Sequence, residues 1–289
     1  MLNKSLDEAG AASLISALAD SPCRENFTRL PELETHLFSD ELVIEALEKM
    51  LRASRSFKIL DFSKKSFKKE NIVSFLTIIS EGGLLVSLEQ PPILDDDLYT
   101  QSEIHELLVK IISSSDNLKS VNCYNKNMTK EQVCEVLKAL IGSESINTLE
   151  CLPLLDADVY SSNEVLPVIT EVYNKAKQMK KSNFAGMQLD ASQTLDLLNF
   201  MINLQGFAER LEELYMGDFS HKCTDLTGEG ACDLVDTILK KAINLRSLML
   251  PGIGTYKDMF FEDGGCRVLT HSDKSREFLT YLSHSEKLI

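Results

Sequence analysis

The most constraining feature of this sequence is a short apolar motif that recurs along most of the chain. Apolar residues occupy its first, fourth and sixth positions, as in Leu245, Leu248 and Leu250. Eight copies begin at residues 27, 57, 85, 118, 146, 179, 211 and 245. Three copies are incomplete because of a polar residue at the fourth or sixth position, namely Glu32, Gln90 and Ser182. The regular steps of 28 to 34 residues predict a chain of repeated structural units.

Between copies of the motif, the apolar period changes from two residues to about 3.6, which is typical of a strand followed by a helix. One such helical stripe follows the second motif, at Ile72, Phe75, Leu76 and Ile79. Capping boxes are predicted at three helix starts, Thr100-x-x-Glu103, Thr129-x-x-Gln132 and Ser161-x-x-Glu164. Neither element of a unit can bury its apolar face alone, so the units are expected to stack.

The pattern resembles the ribonuclease-inhibitor-like class of leucine-rich repeat over roughly residues 27–250, and 44 of the 289 residues are leucine. The resemblance implies an α/β solenoid shaped like a horseshoe, with short parallel strands on its concave face and helices on its convex face. We therefore expect one structural domain. It would have a helical cap at 1–26, seven to eight repeats at 27–250, and an irregular cap with a short helix at 251–289.

Charge and composition restrict the class of partner. Lys and Arg number 30 against 44 Asp and Glu, and the net charge of −14 argues against nucleic-acid binding. No run of eighteen apolar residues occurs, so no membrane span is expected. The segment from Met1 to Asp20 lacks the pattern of a secretory signal. Seven scattered cysteines without a C-x-x-C pair predict free thiols in a reducing cytosol.

Two His/Cys pairs are the candidates for enzyme chemistry, and they leave a cysteine-dependent enzyme as one alternative. They are His221 with Cys223, and Cys266 with His271. Neither pair has the further ligands that a metal needs or the third group that orients a nucleophilic pair. The sequence therefore predicts no catalytic residue, no metal site and no cofactor.

An adaptor is the other alternative. Residues 30–33, followed by residues 36–39, are similar to the opening of an F-box, a module that recruits substrates to a ubiquitin ligase. Such a module needs several helices, and the next repeat motif already begins at Phe57. The same residues also fit the first repeat, which is the interpretation that we favour.

If the motifs form strands as the resemblance implies, their third, fifth and seventh side chains face the concave surface. These positions and the C-terminal loop hold acidic, polar, aromatic and Met residues, which suit a protein interface. The predicted partner-binding residues are Asp61, Glu89, Asn122, Tyr124, Glu150, Asn183, Glu213, Tyr215, Met249 and Tyr256. The acidic members would suit a basic partner surface.

The sequence thus predicts a protein-binding module rather than an enzyme. The ribonuclease-inhibitor resemblance implies that the module wraps a partner protein and can cover the active site of an enzyme. The chain also resembles the acidic, degenerate leucine-rich repeat effectors of intracellular bacterial pathogens such as Legionella. That resemblance implies delivery into a host cytosol by a type IV secretion system, and a partner that is a host protein or another effector.

Overall fold

The computed structural model describes residues 6–184, 187, 191–215, 241, 244, 247–249, 259–262 and 265–268. The part of the chain that the structure describes is mostly helical, and helix far outweighs strand there. The α-helices are α1 (Glu8–Asp20), α2 (Glu41–Ala53), α3 (Lys69–Glu81), α4 (Ser102–Ser114), α5 (Lys130–Gly142), α6 (Ala157–Tyr160), α7 (Val165–Lys175), α8 (Ala191–Asn203) and α9 (Phe207–Arg210). Short 3-10 helices span Pro22–Asn26, Thr35–Ser39, Gly83–Val86, Asp96–Leu98 and Glu144–Asn147. None of these described helices is long and apolar enough to cross a membrane.

The described residues form two compact units. The first falls within Met1–Leu149 and Asn174–Lys177, and the second within Glu150–Tyr173 and Gln178–Ile289. The predicted caps at 1–26 and 251–289 stay predictions. Most of the C-terminal cap, including its predicted closing helix, lies outside the described residues.

Helices α1 to α5 of the first unit pack in chain order, each against the next. They do so because each helix has an apolar face. The buried residues of α2 are Val43, Ile44, Ala46, Leu47, Met50 and Leu51. Burying one large aliphatic side chain stabilises a fold by about 1.5–3 kcal/mol, so these faces supply most of the unit's stability.

Side-chain caps determine where α1, α2 and α5 begin. The Asp7 carboxylate accepts a hydrogen bond from the Gly10 N–H at 2.8 Å, which caps α1. At α5, the Thr129 hydroxyl accepts from the Gln132 N–H at 3.2 Å, and the Gln132 side-chain oxygen accepts from the Thr129 N–H at 3.0 Å. The capping box predicted at Thr129 is therefore confirmed.

Extended segments precede the helices of the first unit and run side by side. Isolated parallel bridges join Arg29 to Ile59 and Asp61 to Ile93. The Glu89 N–H donates to the Lys58 carbonyl at 2.9 Å, and the Lys119 N–H donates to the Glu89 carbonyl at 2.7 Å. These hydrogen bonds connect successive repeats through their backbones, about thirty residues apart in sequence.

The prediction of a leucine-rich repeat solenoid with a strand-lined concave face is wrong. Helix far outweighs strand, and each described strand has only three or four residues. In the first unit, other structure occupies the predicted strand positions. The 3-10 helices Gly83–Val86 and Glu144–Asn147 overlap the starts of two motifs. Pro91 and Pro92 follow the first of these two motifs and have no N–H with which to extend a ladder.

The second unit contains α6, α8, α9 and all the described strands, and most of α7. The strands are β1 (Lys181–Asn183), β2 (Glu213–Tyr215), β3 (Ser247–Met249), β4 (Met259–Glu262) and β5 (Gly265–Val268). The first three form a parallel sheet in the order β1–β2–β3, and the last two form an antiparallel pair. Aromatic rings of Tyr160, Phe184 and Phe200 pack together in the core of this unit.

A buried tyrosine closes an equivalent turn in each unit, which we call the tyrosine turn. The Tyr99 hydroxyl accepts a hydrogen bond from the Leu94 N–H at 3.0 Å, and the Tyr160 hydroxyl accepts one from the Leu155 N–H at 3.0 Å. Each hydroxyl also donates to the carbonyl of the proline two residues before that leucine. Corresponding residues are 61 positions apart, so the structural period here covers two motifs.

Candidate interaction surface

Glu89 lies at the centre of three charged side chains on successive segments of the first unit. We call Lys58, Glu89 and Lys119 the first row. The Glu89 Oε1 atom is 3.0 Å from the Lys58 Nζ atom and 3.4 Å from the Lys119 Nζ atom. The Glu89 side chain is 25% exposed, whereas the lysines are 50% and 40% exposed. The first row is thus an ordered ion-pair network at the surface, in which one carboxylate serves two cations.

The second unit contains the opposite arrangement. We call Glu150, Lys181 and Glu213 the second row. The Lys181 Nζ atom is 3.5 Å from the Glu150 Oε2 atom and 3.3 Å from the Glu213 Oε1 atom. The backbone supports this spacing, because the Lys181 N–H donates to the Glu150 carbonyl and Lys181 is in register with Glu213 between β1 and β2. Here one ammonium group serves two carboxylates.

The central residue of each row has a shifted pKa. The hydrogen bond from Lys58, together with the charges of both lysines, lowers the pKa of Glu89 despite its partial burial. Desolvation acts to lower the pKa of Lys181, but the carboxylates of Glu213 and Glu150 outweigh it, and the net pKa is raised. Both shifts favour the charged form, so Glu89 and Lys181 are ionised near neutral pH.

Asp61 and Asn122, which the sequence predicts as partner contacts, shape their own turns. The Asp61 Oδ1 atom accepts hydrogen bonds from the Ser63 N–H at 2.9 Å and the Ser63 hydroxyl at 2.6 Å. The Asn122 Oδ1 atom accepts one from the Tyr124 N–H at 2.9 Å. Both turns continue through left-handed backbone, at Lys64 and Ser66 in the first and Asn125 and Asn127 in the second. Each side chain therefore has a local structural role.

The other predicted contacts lie at the surface or outside the described residues. Tyr124 and Tyr215 are half-buried, and Asn183 is exposed. Asn183 is in register with Tyr215 between β1 and β2, and Tyr215 with Met249 between β2 and β3. The sheet thus places the backbones of these three residues on adjacent strands. Tyr256 lies outside the described residues.

Sequence reasoning missed the lysines of the two rows, because it treated the acidic residues as a strip of their own. The signal was present in the sequence. Charge alternates in sign at intervals of 30 to 32 residues along Lys58, Glu89, Lys119, Glu150, Lys181 and Glu213. Half-buried Ile93 was missed for a different reason, since it follows the prolines and falls outside the motif register.

The enzyme alternative depends on the cysteines of the chain. Among the described residues, Cys23, Cys123, Cys134 and Cys151 form no disulfide bond. Burial raises the pKa of the Cys151 thiol, which disfavours the reactive thiolate. Of the candidate pairs, His221, Cys223 and His271 lie outside the described residues, and Cys266 lies in β5.

A histidine–carboxylate pair that the sequence did not indicate connects α4 to α5. The His105 Nε2 atom is 2.8 Å from the Glu135 Oε2 atom, with His105 buried and Glu135 largely exposed. The His105 Nδ1 atom has no hydrogen-bond partner there. In the part of the chain that the structure describes, no group of three or more His, Cys, Asp or Glu residues could hold a metal ion. We interpret the pair as a contact between helices.

The F-box-like segment at residues 30–39 itself contains no α-helix. Thr35–Ser39 is a 3-10 helix, and it leads into α2. Within the fully described stretch between that segment and Phe57, α2 is the one α-helix. The adaptor alternative stays a prediction.

No protein-family model matches the chain, and no curated protein matches it significantly.

Proposed function

We propose that this chain is a protein-binding module, and that the first row and the second row, each with its own flanking side chains, are its two binding surfaces. The observation that carries the proposal is the pair of ion-pair rows on hydrogen-bonded backbone. Each row presents charges of alternating sign on neighbouring backbone segments, with 3.0–3.5 Å between adjacent charged atoms. Such a pattern can recognise a partner whose charges match it.

Preorganisation favours binding at these rows. Their ion pairs and backbone hydrogen bonds already restrict the side chains, so less conformational entropy is lost when a partner binds. Complementary charge mainly determines specificity and orientation, and adds less to affinity. The rows therefore supply the register of the complex.

Affinity requires apolar contacts beside the charges. Half-buried Ile59 follows Lys58 of the first row, and half-buried Ile93 pairs with Asp61 on the same segment as Lys58. Tyr215 is half-buried in the strand that carries Glu213. Large side chains next to a polar rim are typical of the residues that dominate protein interfaces. We assign the main apolar contacts to Ile93 and Tyr215.

The rows change the expected chemistry of the partner. The sequence alone favours a basic partner, because it counts Glu89, Glu150 and Glu213 as acidic. In the structure, Lys58, Lys119 and Lys181 lie within 3.5 Å of these carboxylates and offset much of their charge. A partner with alternating charges fits better than a uniformly basic one. We retain a cytosolic setting and regulation of the bound protein as parts of the proposal.

Alanine substitutions test whether the rows and their flanks bind protein. The full chain is immobilised, and the amount of each captured cytosolic protein is compared between variants. Ile93→Ala and Tyr215→Ala are expected to lower retention of the specific partner about tenfold, as expected for residues that dominate an interface. Val86→Ala is the matched control, because Val86 is 56% exposed and lies outside both rows.

The result that contradicts the proposal is equal retention by all three variants, or an equal loss in the Val86→Ala variant. Thermal unfolding of each variant checks that the fold is intact, so that a lost partner reports on the surface.

A further inference from the structure

The two rows are electrostatic complements of each other. The first row reads positive, negative, positive, and the second reads negative, positive, negative. Within each row, hydrogen-bonded neighbouring segments carry the charges, so their intervals are similar. If one row lies against the other in parallel or antiparallel order, a lysine faces a glutamate at all three places.

Two copies of the same row do not match in this way. When aligned with itself in either direction, the first row places lysine against lysine at both ends and glutamate against glutamate in the middle. Like charges brought together at an interface cost several kcal/mol. The first row is therefore expected to pair with a second row and not with another first row.

We propose that the protein bound by these rows is a second copy of this chain, with the first row of one copy against the second row of the other. This inference rests on the proposed function and specifies its partner. Such a contact joins unlike surfaces of the two copies, because the first row of one copy meets the second row of the other.

Long-range and short-range charge effects oppose each other in this dimer. Each copy has a net charge of −14, so two copies repel at a distance. At contact, the matched rows determine register, and apolar side chains such as Ile93 and Tyr215 supply affinity. Moderate salt screens the long-range repulsion more than the short ion pairs, so it is expected to favour association.

Charge reversal of one row at a time gives a direct test. The first-row variant carries Lys58→Glu, Glu89→Lys and Lys119→Glu. The second-row variant carries Glu150→Lys, Lys181→Glu and Glu213→Lys. Each variant keeps the ion pairs within its altered row, with the signs exchanged, so the fold is expected to persist. In either variant, both rows of the chain have the same charge pattern.

Sedimentation of the full-length chains measures the outcome. We expect the wild-type chain to dimerise, and each variant alone to self-associate at least roughly tenfold more weakly, because like charges then face each other. An equimolar mixture of the two variants is expected to regain wild-type association, since each supplies the row that the other needs.

Two further variants test whether damage to the fold or the change in net charge explains a loss of association. A chain with all six substitutions restores complementarity and is expected to dimerise like the wild type, which separates charge matching from damage to the fold. The matched control changes three exposed helical charges to reach the same net charge as the first-row variant, through Glu106→Lys, Lys110→Glu and Lys138→Glu. It is expected to dimerise normally.

A monomeric wild-type chain overturns the inference, as does a mixture that associates no better than its separate components. If the wild-type chain is monomeric and Ile93→Ala and Tyr215→Ala still lose a captured protein, the second copy is excluded as the partner and the proposed function stands. If neither substitution affects retention, the proposed function fails independently.

Discussion

The two units of this protein use the same buried turn but opposite surface charges. Tyr99 and Tyr160 close their turns with equivalent hydrogen bonds. The rows at the surface share their spacing, yet Glu89 stands between two lysines and Lys181 between two glutamates. A buried polar group has few ways to satisfy its hydrogen bonds, so the turn is constrained. An exposed ion pair contributes little to stability, so folding does not restrict which residue carries which charge, and the order of charges can determine which partner is recognised.

The largest effects are expected at the tyrosine turns. Tyr99→Phe and Tyr160→Phe each remove the acceptor of a buried leucine N–H, which costs about 1–3 kcal/mol of unfolding free energy. Chemical denaturation of both variants measures the loss. Similar losses support the structural equivalence of the two turns, and a loss in only one of them breaks that part of the comparison.

An intermediate effect is expected at a second pair of related positions, both in the first unit. Thr129 caps α5, whereas Lys68 occupies the N-cap of α3, 61 residues earlier, without a side-chain cap. Thr129→Ala is expected to destabilise the protein by roughly 1 kcal/mol, and Lys68→Thr to stabilise it by a similar or smaller amount. Urea midpoints of the two variants check this. Destabilisation by Lys68→Thr would show that the lysine has a role of its own.

The smallest effects on stability are expected at Glu89 and Lys181, the central residues of the rows. These effects differ between the rows in how they depend on pH. The folded pKa of Glu89 is lowered from its usual 4.5. Its ionised form therefore adds to the free energy of unfolding above pH 4.5, and this stabilisation is lost as the pH falls through the lower folded value. The folded pKa of Lys181 is raised from 10.5. Its ionised form therefore adds to the free energy of unfolding below pH 10.5, and this stabilisation is lost as the pH rises through the higher folded value.

Neutral substitutions isolate these contributions. We expect Glu89→Gln and Lys181→Gln each to cost less than about 1 kcal/mol near neutral pH, because both sites are partly exposed. Unfolding measured across the pH range should show the cost of Glu89→Gln disappearing in acid and that of Lys181→Gln disappearing only in strong alkali. A cost that persists in acid for Glu89→Gln would assign the effect to packing rather than charge.

Helices were the most predictable part of the fold. The apolar stripe at Ile72 and Phe75 is buried in α3, because helical periodicity depends only on local sequence. Caps were predicted less well. Thr129 caps α5, but α4 begins at Ser102 with Gln101 as its N-cap, and Ser161 is the C-cap of α6. A capping motif identifies a possible start, and packing determines which start is used.

The predicted strands failed for a physical reason. An apolar residue at every second or third position fits an extended segment, but the number of ladder hydrogen bonds depends on the neighbouring chain. Turns at Ser63 and the 3-10 helix Gly83–Val86 limit pairing in the first unit to single bridges. Longer pairing begins at β1, where three consecutive residues of Lys181–Asn183 align with β2.

The candidate surface was half predictable. Glu89, Glu150 and Glu213 could be placed on successive repeats from the motif alone. The ion pairs of Glu89 could not, because Lys58 and Lys119 occupy a different motif position and reach the carboxylate through long side chains. The sequence did contain a signal for these pairs, the alternation of Lys and Glu at intervals of 30 to 32 residues. This alternation is recognised only when basic and acidic residues are compared at the same time.

Site-specific photo-cross-linking tests the central claim that the rows bind protein most directly. A photoreactive residue is placed beside the rows at Ser120 or Asn183, or on exposed helical positions at Glu106 or Lys138. Irradiation of the full chain in cytosol is followed by comparison of the cross-linked species. We predict one shared protein, enriched at Ser120 and Asn183 over the helical positions. Equal cross-linking at all four positions, or enrichment on the helices, would contradict the claim.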